Sequence, residues 1–227
     1  MKTSTLRSIM LVSALLALPT SALAADPDVA SCWHPERGMA DVDGHLSTLG
    51  LGVGLSFPLN HCLALRVDAN QLNRGFSTST AAAGGTVNYT GNLKLSSYDF
   101  LVDWRPFQGL FHLTAGTVYN NNHFDMNSTG PFTLNGVQYN TGTVTAAVTF
   151  KSWAPYLGVG WSGQPANPGW SFKSDLGIMF QGPPSARLTT NNAAAVGGLS
   201  AEQAALNDKL SHYRYYPVIS VGVGYAF

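Results

Sequence analysis

The sequence predicts an all-β chain: a transmembrane antiparallel up-and-down β-barrel of eight strands, with a short helix in an extracellular loop. Three observations predict it. Apolar residues alternate with small or polar ones in seven segments, the pattern of strands with two unlike faces. The charged side chains of those segments fall on the face opposite the apolar one. Aromatic residues collect at both ends of the segments, as they do where strands meet the two interfaces of a bilayer.

Residues 1–24 read as a cleaved signal peptide, leaving 25–227 as one barrel domain. Lys2 and Arg7 form a basic start, residues 9–18 are apolar, and Ala22-Leu23-Ala24 is a small-x-small cleavage site. The chain carries 12 basic and 12 acidic residues, so losing Lys2 and Arg7 leaves a slightly acidic domain. That balance excludes nucleic acid as a partner, which calls for a basic stripe. Charged residues make up only 11% of the chain, beside 24 glycines and 11% aromatics. A barrel needs all three features at once: an uncharged exterior, small residues in turns and lumen, and aromatic rims.

Segment one places Leu49, Leu51, Val53, Leu55 and Phe57 against glycines and Ser56. Segment two sets Leu63, Leu65 and Val67 against Arg66, Asp68 and Asn70. In segment three Tyr98, Phe100, Val102 and Trp104 oppose Asp99, Leu101, Asp103 and Arg105. Segment four has Phe111, Leu113 and Tyr119 against His112, Thr114 and Val118. Segment five has Leu157, Val159 and Trp161 against Tyr156, Gly158 and Gly160. Segment six has Trp170, Phe172, Leu176 and Ile178 against Lys173, Asp175 and Met179. The last runs Tyr213, Tyr215, Pro217, Ile219, Val221, Val223, Tyr225 and Phe227 against Arg214, Tyr216 and Val218.

The opposite-face charges are Arg66, Asp68, Asp99, Asp103, Arg105, Lys173, Asp175 and Arg214, four of each sign. Balanced signs suit a closed ion-pair network inside a narrow barrel. The same residues could instead line a narrow pore and set its selectivity. An eight-stranded barrel leaves an interior just wide enough for side chains, which favours the plugged core.

Connections alternate in length. Residues 58–61, 106–109 and 163–168 form short turns, while 73–91, 121–152 and 183–211 are long loops, with 79–92 read as a mobile segment. Short periplasmic turns and long outward loops are the rule for bacterial outer-membrane barrels. This orients one aromatic girdle (Phe57, Trp104, Phe111, Trp161, Trp170, Tyr225, Phe227) inward and another (Tyr98, Tyr119, Phe180, Tyr213, Tyr215) outward. An even strand count then needs one more upward strand, which must lie within residues 30–46. In the loops, Asn135-Gly136 between apolar runs predicts a hairpin over 132–139. Ser200 to Gln203 fits a capping box opening a helix that runs to Leu210.

Cys32 and Cys62, the two cysteines, read as a disulfide in an oxidising compartment. Val29 to Cys32 also matches a lipid-attachment box, but Asp26 and Asp28 separate it from the apolar segment that such a box should follow.

The C-terminal Ile219, Val221, Val223, Tyr225 and Phe227 resemble the signal that barrel-assembly machinery recognises in its substrates. Residues 103–107, 113–116, 120–122, 154–161 and 175–177 resemble the opacity-type surface proteins among small outer-membrane barrels. The resemblance spans most of the mature chain, implies the fold, and says little of function, because the group is defined by architecture.

No catalytic constellation is visible. Ser211 and His212 are adjacent, so a strand points them to opposite faces. His112 faces the lumen, with Thr114 as its nearest same-side hydroxyl, and Asp99 and Asp103 also point inward. His34, His45, His61 and His123 are too scattered for a metal site. The expectation is a non-enzymatic outer-membrane protein without cofactor or metal, exported by its signal peptide. Its partners would be membrane lipid, lipopolysaccharide and, during biogenesis, the assembly machinery. Its role would be structural or surface-interacting. The alternatives are a narrow channel for small solutes or hydrophobic molecules and, further off, a lipid-A-modifying enzyme.

Overall fold

Antiparallel pairing carries the chain around until its last strand meets its first. The computed structural model describes residues 39–227 except 83, 135, 164 and 166. The expected signal peptide and Cys32 of the expected disulfide lie outside the described residues. The strands are β1 (Asp41–Ser47), β2 (Gly50–Pro58), β3 (Leu63–Ala82), β4 (Gly85–Trp104) and β5 (Phe111–Asn120). Then come β6 (His123–Thr129), β7 (Phe132–Leu134), β8 (Val137–Tyr139) and β9 (Thr143–Thr149). The chain ends with β10 (Trp153–Ser162), β11 (Gly169–Met179), β12 (Ser185–Thr190), helix α1 (Val196–Leu210) and β13 (Tyr216–Ala226).

Eight of these strands form a closed ring in the order β1, β2, β3, β4, β5, β10, β11, β13. Closure leaves no free edge around the ring. Its upward first strand is β1, at the C-terminal end of the expected window. Asp41, Asp43 and His45 point in, and Val42 and Leu46 point out. Gly44 and the polar inward set hide this strand from a search for long apolar alternation.

Above the ring the structure corrects the sequence reading of long loops. Residues 73–91 are not a loop, nor is 79–92 an unstructured segment. The β3–β4 register runs unbroken from Leu63 opposite Trp104 to Ala82 opposite Gly85. β4 then pairs with β6, β6 with β9, and β9 with β12, extending the sheet beyond the ring. Cross-strand packing decides this where composition is uninformative. The Phe76 ring lies where a side chain on Gly91 would stand, and it stacks on Phe124 at 6.0 Å. The predicted hairpin over 132–139 is present as β7–β8, with Gly136 at φ +78° in its turn.

Helix α1 starts four residues before Ser200, so Ser200 does not cap it. The entry is made instead by a short 3-10 turn at Ala193–Ala195, where Asn192 Oδ1 accepts the Ala194 N–H at 3.0 Å. α1 completes the far edge of the extension. Asn207 accepts the Ala186 N–H at 2.7 Å and donates to its carbonyl at 3.2 Å, and Gln203 accepts the Leu188 N–H at 3.0 Å. These amides take the place of a neighbouring strand and blunt an edge open to foreign pairing. Asn207→Ala should therefore loosen the outer segment by about 1–3 kcal/mol. Limited proteolysis should cut within residues 185–210 several-fold faster, with the ring's resistance to detergent unchanged.

Candidate functional site

The ring interior holds the polar and charged side chains, and its centre is Arg66. From β3, Arg66 Nη1 and Nη2 donate to the two carboxylate oxygens of Asp175 on β11 at 2.9 and 3.1 Å. Its Nε lies 3.2 Å from Asp103 on β4, and Asp68 Oδ2 stands 3.8 Å away. Thr114 donates to Asp103 at 2.7 Å. One guanidinium thus ties opposite walls of the ring, the geometry in which a planar fork outperforms a lysine.

A second cluster sits around Lys173, which donates to Asp41 at 2.6 Å, Asp43 at 2.8 Å and Ser56 at 3.0 Å. His45 Nδ1 lies 2.7 Å from Asp43 Oδ2, and its Nε2 lies 2.9 Å from Asn70 Oδ1. Asn70 in turn donates to Asp99 at 2.9 Å and Ser97 at 3.2 Å, which fixes its amide orientation. Both ring nitrogens of His45 therefore face acceptor oxygens.

Seven of the expected network residues are buried inside: Arg66, Asp68, Asp99, Asp103, Arg105, Lys173 and Asp175. Arg214 is not. It lies before β13 begins, is exposed, and donates from Nε to the Ser211 carbonyl at 2.9 Å. Alternation extended two residues past the ring misassigned it. The sequence reading also missed Asp41, Asp43 and His45, because a strand as short as β1 shows little periodicity. With them the balance of signs disappears, and carboxylates predominate. The hydroxyl beside His112 is Ser162 of β10, at 3.3 Å, rather than Thr114. His112 Nε2 also meets Asp175 at 3.0 Å, so the ring joins two walls of the network.

The upper interior is apolar. Leu49, Leu101, Val118, Ala154, Tyr156, Met179 and Val218 pack together, contributed by five strands and the β1–β2 turn. Alternation places Leu49 on the outward face, but it sits in that tight turn and caps the interior at 2% exposure. Tyr156 fits because Gly158 and Gly177 leave room for its ring, which occupies the space of their missing side chains. Two interior spaces, one of about 20 Å³ beneath this layer and one of about 10 Å³ toward the short turns, are each about enough for one water. Among the described residues no group of His, Cys, Asp and Glu is arranged to hold a metal ion.

Outside, the ring is greasy. Leu51, Val53, Phe172 and Ile219 are 60, 63, 63 and 52% exposed, and among the described residues no charged side chain joins them between the two aromatic rims, Lys94 of β4 standing beyond Tyr98. Register gathers the aromatics at the two ends. Trp170 meets Tyr225 at 5.2 Å and Phe111 meets Trp161 at 5.8 Å at the short-turn end. At the other end Tyr119 meets Trp153 at 5.1 Å and Phe180 meets Tyr215 at 5.5 Å. Trp153 belongs to this outer group although its isolation before Pro155 concealed it.

Closed ring, filled polar interior and apolar exterior define an eight-stranded antiparallel β-barrel. Solved structures of this fold include two from Acinetobacter baumannii. The chain is similar to CarO2, with a TM-score of 0.59 and 20% identity over 84% of this chain and 99% of that one. It is similar to CarO, with a TM-score of 0.53 and 19% identity over 87% and 100%. Likeness at this identity establishes the fold. No family model and no curated protein matches the chain.

Proposed function

We propose that the chain is an integral outer-membrane β-barrel that does no chemistry and conducts no solute, serving as a rigid base for the outer sheet and α1. The exposed apolar belt between two aromatic rims carries this reading. In water such a belt would be an aggregation surface far larger than monomers tolerate. In hydrocarbon it is the required exterior, and a closed ring pairs every backbone group that crosses. β10, β11 and β13, at 10, 11 and 11 residues, match the roughly 9–11 that a tilted strand needs to span a bilayer. The likeness to the two CarO structures supports the same class. The stretches resembling opacity-type proteins support a surface role within it, with lipopolysaccharide around the belt and assembly machinery reading the Phe227 end.

The apolar layer over the ion network supports a plug rather than the alternative pore. Reconstituted in planar bilayers, the protein should show no stable unitary conductance. Steady single-channel openings would overturn the plug. On detergent gels the folded form should run ahead of the boiled chain, and a soluble product lacking that shift would remove the membrane reading itself.

A further inference from the structure

Among the described residues, the ion network leaves one buried cation without a carboxylate in ion-pair contact. Arg66 is held by Asp103 and Asp175, Lys173 by Asp41 and Asp43, and His112 by Asp175. Arg105, just past the end of β4, is 4% exposed, and among the described residues no carboxylate lies within ion-pair distance of it. Its Nη2 donates to Ser162 Oγ at 2.9 Å, while Nε and Nη1 are buried and make no hydrogen bond. Asp103, Asp41 and Asp175 offset part of its charge from a distance, but buried guanidinium donors without acceptors still carry a desolvation cost.

Arg105 lines a cleft at the short-turn end of the ring, together with Ser56, Pro58, Ala64, Ser162 and Lys173. The carboxylates in that lining, Asp41 and Asp103, are already engaged by Lys173 and by Arg66 and Thr114. What the cleft lacks is an acceptor for the Nε and Nη1 donors of Arg105, beside a space of about 10 Å³. A space of that size suits a single small sphere better than a tetrahedral oxyanion.

We propose that this cleft is a binding site for a single halide-sized anion, chloride being the physiological one, held by the Arg105 guanidinium and the Ser162 hydroxyl. Ser162 accepts from Arg105, and its own proton is free to turn either to His112 or to the anion. The site depends on the interior geometry alone and not on what surrounds the ring.

The test uses the full mature protein in detergent micelles, titrated with sodium chloride, sodium bromide or sodium sulfate at constant ionic strength. Chloride and bromide should each raise the thermal midpoint saturably, and sulfate should not; the ³⁵Cl resonance of chloride should broaden with the protein and narrow again when bromide, but not sulfate, is added. In Arg105→Gln the halide effect should fall at least tenfold while the gel shift of the folded form persists. Ser162→Ala should weaken it less. Equal effects of all three salts, a halide effect that survives in Arg105→Gln, or no halide effect in the folded wild type would each overturn the site. Bromide-soaked crystals offer an independent reading: an anomalous peak beside Arg105 is expected, and its absence there would count against the proposal.

Discussion

Replacing Arg66 by Leu should destabilise the barrel by about 3–5 kcal/mol, the range found when one partner of a buried ion pair is removed. The guanidinium spans β3, β4 and β11 through Asp103 and Asp175. Without it both carboxylates remain inside a closed ring, with His112 and Thr114 as their remaining close partners. Urea unfolding from lipid vesicles, followed by tryptophan fluorescence, should show a lowered midpoint. Arg66→Leu combined with Asp175→Leu should recover part of the loss, because the second change removes the stranded charge. A single-variant loss below about 1 kcal/mol would contradict the central place given to Arg66.

The second large effect is expected on the opposite face. Val221 stands midway along β13, pairs with Leu46 and Ser174, and is 45% exposed. If that exterior lies in hydrocarbon, Val221→Arg should cost about 2–4 kcal/mol, while an arginine near a rim should cost about 0–1. In water both positions are simply exposed, and neither should matter much. The contrast between midpoint and rim is therefore the discriminating result, and equal small effects would argue against a membrane around the ring.

These two faces differ in how far they were legible beforehand. Strand alternation sorts side chains between two sides because successive residues point oppositely. That local rule assigned Leu51, Val53, Phe100, Phe172 and Val223 outward and Arg66, Asp103, Lys173 and Asp175 inward. It failed at segment ends. Arg214 and Leu49 continue the alternation, yet both lie beyond the paired strands. It also failed where a strand is short, as in β1, whose Asp41, Asp43 and His45 supply much of the inner network. The outer extension was illegible for another reason. Residues 73–91 have loop-like composition, and their strand state comes from β6 and from Phe76 packing across Gly91 onto Phe124.

By itself, then, the sequence determined a two-faced strand pattern, the aromatic rims and a set of inward charges, since each depends on residue identity and near-neighbour spacing. Only the tertiary structure decided which charges meet, that Ser162 rather than Thr114 stands by His112, that an apolar layer closes the upper interior, and that among the described residues no carboxylate comes into ion-pair contact with Arg105. Those outcomes depend on register around a closed ring, where residues more than a hundred positions apart, such as Arg66 and Asp175, come within 3 Å. No local pattern encodes that distance. It follows only when the last strand pairs with the first.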